Sequence, residues 1–264
     1  MFSRLSIALL LASVAAGPAL AAEPLNCTVI LDARSGDVLL RDGTCDQRFA
    51  PASTFKLPLA VVGYDAGILV DAETPHWDWQ PGLTAPQRDH KPVDPTIWER
   101  DSVLWYSREI TRQLGPETFA RYMTGLNYGN ADVSGVPGQN NGLTHSWLGA
   151  SLLISPDEQV DFVRQLVLGT LPVSSNAQRW AATILPDFEA GGWTVSGKTG
   201  SGWVSDANGA YFRDRPLGWF VGWAERGQDA VVFARLRVDG KRAADNLGPI
   251  VRADFLAELP ALLP

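Results

Sequence analysis

The sequence predicts an α/β (α+β) fold: a central antiparallel sheet flanked by helices, with an inserted helical subdomain. Three observations predict it. Strand-like runs lie near both ends of the chain, helix-like runs fill its middle, and an apolar helix closes it. Early and late strands with helices between them share one sheet most simply, which leaves the middle helices as a lobe inserted into it.

The elements follow in order. Residues 1–21 carry Arg4, an apolar run over residues 5–16, and the ending Ala19-Leu20-Ala21. These are the three parts of a secretory signal peptide, so cleavage is expected after Ala21 and the destination is periplasmic. The run is shorter than the ~20 residues of a membrane span, and Gly17-Pro18 breaks a helix there. No membrane association is expected after cleavage. Residues 22–264 then form a single domain. Residues 22–66 and 191–264 supply the sheet with its flanking helices, and about 67–190 the helical lobe and active-site loops.

Residues 28–31 and 38–40 read as a β-hairpin turning near Ser35-Gly36. Cys27 and Cys45 each lie nine positions from Gly36. Hairpin pairing brings them together, and export permits the disulfide. An apolar segment covers residues 57–62, and residues 71–96 read as irregular surface. Residues 98–114 predict one helix. Residues 116–125 predict another, with Pro116 at its first turn. Residues 128–142 are loop. Ser155-Pro156-Asp157-Glu158 is a capping-box helix start, and Val160, Phe162, Val163, Leu166 and Val167 give that helix its apolar face. Residues 176–185 predict a further helix. Residues 193–199, 218–224 and 230–238 predict strands, with 202–216 a long connection. Residues 250–263 predict the closing helix.

Composition narrows the function. Removing residues 1–21 leaves 21 basic against 29 acidic residues, a net charge of −8. Such a surface argues against nucleic acid or anionic membrane as partner. Two cysteines cannot complete a tetrahedral zinc site, and His76, His90 and His145 lack metal-ligand spacing. No metal is expected.

Two short motifs carry chemistry. Ser53-Thr54-Phe55-Lys56 places a hydroxyl and an amine one helical turn apart. A desolvated lysine loses its proton near neutral pH and can serve a serine nucleophile as base. The chain has four lysines against eighteen arginines, and arginine cannot act as a base. Pro58 disturbs the start of the following helix, so Ser53 is expected on a tight first turn with free N–H groups. The second motif, Lys198-Thr199-Gly200, ends a strand-like run. Its ammonium and hydroxyl can meet a carboxylate, and Gly200 removes a side chain where substrate approaches.

With Lys-Thr-Gly about 145 residues after Ser-x-x-Lys, the chain resembles the penicillin-recognising serine enzymes. Further segments resemble the class D β-lactamases, or oxacillinases: residues 51–56, Tyr128-Gly129-Asn130, Ser146-Trp147-Leu148 with Ser151-Leu152 and Ile154-Ser155, and Gly218-Trp219 through Trp223. Together they span nearly all of residues 22–264, in family order.

The resemblance implies the serine β-lactamase/DD-peptidase-like fold and hydrolysis of β-lactam antibiotics, and so resistance to them. Ser53 is then the nucleophile. Lys56 is carbamylated by carbon dioxide and acts as general base; no other cofactor is implied. Trp147 donates its indole N–H to the carbamate, and Leu148 walls the pocket. The backbone N–H groups of Ser53 and Ser201 form the oxyanion hole. Lys198 and Thr199 hold the substrate carboxylate. Tyr128, Asn130 and Gly200 fall within the substrate-binding segments. A monomer or homodimer is expected.

Two departures stand out. The family's Ser-x-Val appears as Ser102-Val103-Leu104, which keeps the proton-relay hydroxyl but places a bulkier Leu104 beside the carbamate. The family's carboxylate-binding arginine falls on Leu247, leaving Arg235, Arg237 or Arg242 as substitutes. A D-alanyl-D-alanine peptidase would carry Ser-x-Asn, which is missing at Ser102. A β-lactam sensor domain would follow a membrane tether, where this chain has a cleavable-looking signal.

Overall fold

The computed structural model describes residues 23–242 and 245–263. The expected signal peptide, residues 1–21, lies outside the described residues. Six strands form one antiparallel sheet: β1 (Leu25–Asp32), β2 (Val38–Gly43), β3 (Asp187–Ala190), β4 (Trp193–Ser205), β5 (Tyr211–Arg226) and β6 (Asp229–Val238). Their order is β2-β1-β6-β5-β4-β3, so β1 pairs directly with β6 and the two ends of the chain share one sheet.

The helices are α1 (Lys56–Asp65), α2 (Pro95–Asp101), α3 (Leu104–Leu114), α4 (Pro116–Gly125), α5 (Gly142–His145), α6 (Pro156–Leu168), α7 (Ser175–Thr183) and α8 (Leu247–Leu262). On one sheet face α8 buries Val251, Phe255 and Leu259 against Phe220 and Phe233. On the other face, α6 packs on β1, β5 and β6. The larger core continues from there into the helical lobe, through Phe55, Trp98, Trp105, Tyr106, Phe119 and Trp147.

Local signals explain most boundaries. α6 starts with the expected capping box: the Ser155 side chain accepts from the Glu158 backbone, and Glu158 returns the bond to the Ser155 N–H. α4 starts at Pro116, as expected. Cys27 and Cys45 form the expected disulfide. The hairpin register is not centred on Gly36, however. Cys27 lies opposite Gly43, because the turn is centred near Arg34 and Ser35. Cys45 lies two residues beyond β2, with its Cα 5.2 Å from that of Cys27.

Three expectations are corrected. Residues 98–114 are not one helix. α2 starts earlier, where Asp94 accepts a 2.7 Å bond from the Ile97 N–H and Pro95 takes the first turn. It stops at Ser102, whose backbone is left-handed (φ 60°), and α3 restarts at Leu104. Residues 202–216 are not a connection but the outer half of the β4–β5 hairpin. Asp206 closes its turn by accepting from the N–H groups of Asn208 and Ala210. Pro216 is tolerated because β5 pairs with β6 only from Leu217 onward, so no N–H is needed there. The short edge strand β3 was not expected. Only Phe188 and Ala190 of its four residues are apolar, too short a period-two signal to read.

Candidate active site

The turn carrying Ser53 is built before α1 begins. Ala52 is left-handed (φ 50°), and residues Ala52–Phe55 form a 3-10 turn that passes into α1 at Lys56. Pro58 falls within the first turn of α1, where a missing N–H leaves nothing unsatisfied. Trp219 on β5 donates to the Ala50 carbonyl at 3.0 Å. The Thr54 hydroxyl donates to the Pro51 carbonyl at 2.7 Å and accepts from Gln159 of α6 at 2.9 Å. The Tyr128 hydroxyl donates to the Gln159 side-chain amide oxygen at 3.3 Å. Phe55 stacks on Trp147 at 5.1 Å and meets Phe119 and Tyr128 edge-on.

Three residues expected in the substrate-binding segments have protein partners of their own. Tyr128 is fully buried and supports the serine turn from beneath. Asn130 holds its own loop: its amide donates to the Ser151 carbonyl at 2.8 Å and accepts from the Leu153 N–H at 2.9 Å. Gly200 makes room for the serine turn. A Cβ there would lie 2.8 Å from the Pro51 carbonyl oxygen and 3.1 Å from the Thr54 methyl. Any larger residue pushes the serine turn off β4.

Lys56 begins α1 facing inward. It is 1% exposed, and its Nζ has no hydrogen-bond partner. Burial pulls its pKa down to about 7, helped by the charge of Lys198, against opposing pulls from Glu99 and Asp89. Lys198 on β4 is also buried, at 2% exposure. Its Nζ donates to the Ser102 hydroxyl at 3.2 Å and to the Thr199 carbonyl at 3.4 Å. The ammonium expected to anchor a substrate carboxylate is thus turned inward, onto Ser102. The left-handed conformation of Ser102, uncommon for a residue with a side chain, sets its hydroxyl between the helical lobe and the sheet.

Beside these groups the sheet offers an open edge. β3 pairs with β4 only as far as Ser196, so β4 from Lys198 to Ser205 has no strand on that side. Such an edge presents backbone donors to whatever lies in the cleft. Thr199 and Ser201 lie on it, half-buried, and the Ser201 hydroxyl accepts from the Gly248 N–H of α8 at 2.9 Å. Trp147 is 1% exposed and Leu148 half-buried, both on the 3-10 turn Ser146–Leu148. The outer β4–β5 hairpin fastens this turn. The Tyr211 hydroxyl donates to the Leu148 carbonyl, and the Ser205 hydroxyl to the Gly149 carbonyl. Leu104 is half-buried at the start of α3.

The arginine question is partly settled. Leu247 is buried at the start of α8. Arg235 bonds to Glu258 and to the Thr28 hydroxyl, and Arg237 to Asp239. The α8 cation that Lys198 feels is Arg252, which lies over the Phe188 ring.

Sequence reasoning missed Glu99, Ser146 and Gln159. Glu99 and Ser146 are fully buried, and neither carboxylate oxygen of Glu99 nor the Ser146 hydroxyl has a hydrogen-bond partner. Burial pushes the Glu99 carboxyl up to about 7, against the pull of Lys198 and Lys56. A signal was present. Glu99 lies in helical phase with Val103, Tyr106 and Ile110, and Gln159 with Phe162, Val163 and Leu166. A polar residue on an apolar stripe points into the core.

Residues 26–258 match the family model described as the penicillin-binding protein transpeptidase domain. The β-lactamase OXA-9 of Klebsiella pneumoniae is 46% identical over 244 residues, which cover 91% of this chain and 89% of that one. OXA-1 of Escherichia coli is 34% identical over 203 residues, 75% of this chain and 70% of its own. The crystal structure of the OXA-427 class D β-lactamase superposes with a TM-score of 0.83 at 38% identity, covering 90% of this chain and 98% of that one. The transpeptidase-type fold, the inward-facing Lys56 behind Ser53 and these relatives agree: the chain belongs to the class D β-lactamases.

Proposed function

We propose that the exported protein hydrolyses β-lactam antibiotics through an acyl-enzyme on Ser53, with carbamylated Lys56 as general base, and so confers β-lactam resistance. The observation that carries this is the state of Lys56: a fully buried amine, without a partner, one turn from Ser53. Only a neutral amine adds carbon dioxide, and burial supplies one near neutral pH. The unpartnered Nζ fits such a group, with Trp147, Leu148 and Ser146 as the residues that would hold it. When formed, the carbamate supplies a carboxylate-like base of the kind that draws a proton from a hydroxyl or a water.

The remaining roles belong to the chain's own residues. Ser53 attacks the lactam carbonyl from its rigid turn. The backbone N–H groups of Ser53 and Ser201 receive the developing oxyanion, where fixed donors in a closed site act most strongly. Lys198 orients the Ser102 hydroxyl and keeps it supplied with a proton for the departing lactam nitrogen. Thr199, half-exposed on the open edge of β4, holds the substrate carboxylate. Trp147 and Leu148 limit the water that reaches Lys56.

The test is turnover. Purified protein should hydrolyse a chromogenic cephalosporin with many turnovers per molecule; a single turnover followed by silence would point to a β-lactam sensor instead. Trp147→Ala should slow deacylation more than acylation in single-turnover kinetics, because Trp147, stacked on Phe55 next to Lys56 in the chain, is assigned to the base and not to the oxyanion donors. It should also destabilise the fold by about 3–5 kcal/mol, measured by urea titration. Equal slowing of both steps removes its assigned role.

A further inference from the structure

The mechanism above leaves one buried acid unused. Glu99 comes from α2, Lys56 from α1 and Lys198 from β4, and all three are at most 2% exposed. Glu99 interacts electrostatically with both lysines, yet neither of its oxygens has a hydrogen-bond partner. The Lys56 Nζ and the Ser146 hydroxyl are also buried without partners. Native interiors rarely leave such groups unmatched, and concentrations of them mark functional sites. An ionised carboxylate in such a place is held only by nearby positive charge.

Charge sets what this acid can do. Before reaction, a neutral Lys56 leaves one buried cation, Lys198, opposite one buried anion, Glu99. Adding carbon dioxide to Lys56 creates a new anion and releases a proton. If the proton left for solvent, two anions would face one cation in a closed interior. We infer that Glu99 accepts the proton that Lys56 releases on carbamylation. The Lys56 nitrogen forms a bond to the carbon of carbon dioxide, and one C=O pair moves onto oxygen. An N–H proton passes to the Glu99 carboxylate through a water, since the two groups are not in direct hydrogen-bond contact. Lys56–NH2, CO2 and Glu99–COO− become Lys56–NH–COO− and Glu99–COOH. One positive and one negative charge stand in the interior before and after.

Other charged groups face this centre. Asp89 and Arg108 act on Lys56 in opposite directions, Arg252 acts on Lys198, and Tyr64 on α1 feels Glu99. Asp89 and Arg108 each have bonds of their own, Asp89 to Arg88 and Arg108 to the Thr144 carbonyl. Among the described residues, Glu99 alone combines full burial with two unpartnered acceptor oxygens.

The inference rests on the carbamate reading of Lys56, and its test separates the two. The probe is carbon-13-labelled carbon dioxide, with the carbamate carbon followed by NMR over about pH 7.5 to 9. Affinity is expressed against dissolved CO2 at each pH. With Glu99 as internal acceptor, no proton reaches solvent, and the affinity of the native protein should change little with pH. In Glu99→Gln the proton must leave, and affinity should rise about tenfold per pH unit. A tenfold rise per unit in the native protein overturns the inference while leaving the carbamate intact. No carbamate signal in the native protein removes both. The native slope decides even if Glu99→Gln does not fold. Infrared difference spectra give a second reading. Carbon dioxide should raise a protonated-carboxyl band in the native protein, and absence of that band contradicts Glu99 as acceptor.

Discussion

Ser53→Ala lowers β-lactam turnover by at least about 10^4-fold and leaves the fold intact. The size follows from the absence of any replacement. Thr54 is fully buried, and its hydroxyl is held between the Pro51 carbonyl and Gln159. Ser102 is bonded to Lys198 across the cleft. No second hydroxyl stands at the end of the turn that Trp219, Gln159 and Tyr128 brace. The fold survives because the Ser53 side chain supplies none of those braces. Intact-mass measurement after incubation with a penicillin should show no adduct. An adduct on the variant, or turnover within tenfold of native, would place the nucleophile elsewhere.

Lys56→Ala lowers turnover by about 10^2–10^4-fold, the range of a lost general base, and changes the limiting step. Ser53 still reacts slowly, because its turn and oxyanion donors remain. The acyl-enzyme then persists, because nothing activates the water. The variant should carry a stoichiometric, long-lived adduct, visible by mass spectrometry hours after substrate is removed. Rapid loss of the adduct contradicts Lys56 as the deacylating base. The pH profile gives the sign independently. The carbamate forms only on the neutral amine, and burial holds that amine's pKa down to about 7, so the base is present above that pH and lost below it. In native protein kcat/KM should therefore fall as pH drops through about 7, and this limb should vanish in Lys56→Ala.

The legible parts of this molecule were those written in local chemistry. The capping box at Ser155, Pro116 at the start of α4 and the apolar runs of β5 and β6 each act over a few residues. The Ser53 and Lys198 motifs were legible because they combine unusual residue types at fixed spacing. What could not be read depends on contacts far apart in sequence. Ser102 breaks a helix-patterned run because Lys198, 96 residues away, takes its hydroxyl. Gly200 reads as a gap for substrate until the Pro51 carbonyl is found against it. Lys198 reads as a carboxylate anchor at a strand edge until its burial and its bond to Ser102 are seen. Glu99 was passed over because an acid in a predicted helix is usually solvated, although its phase with Val103 and Tyr106 already pointed inward.

The central claim is that Ser53 is acylated and then freed by the base built on Lys56. Quenching the native protein during turnover of a penicillin, followed by peptide mass mapping, tests it directly. The peptide containing Ser53 should carry a substrate-mass adduct while substrate lasts, and be unmodified once it is exhausted. Turnover with no adduct, or an adduct on any other residue, would contradict it.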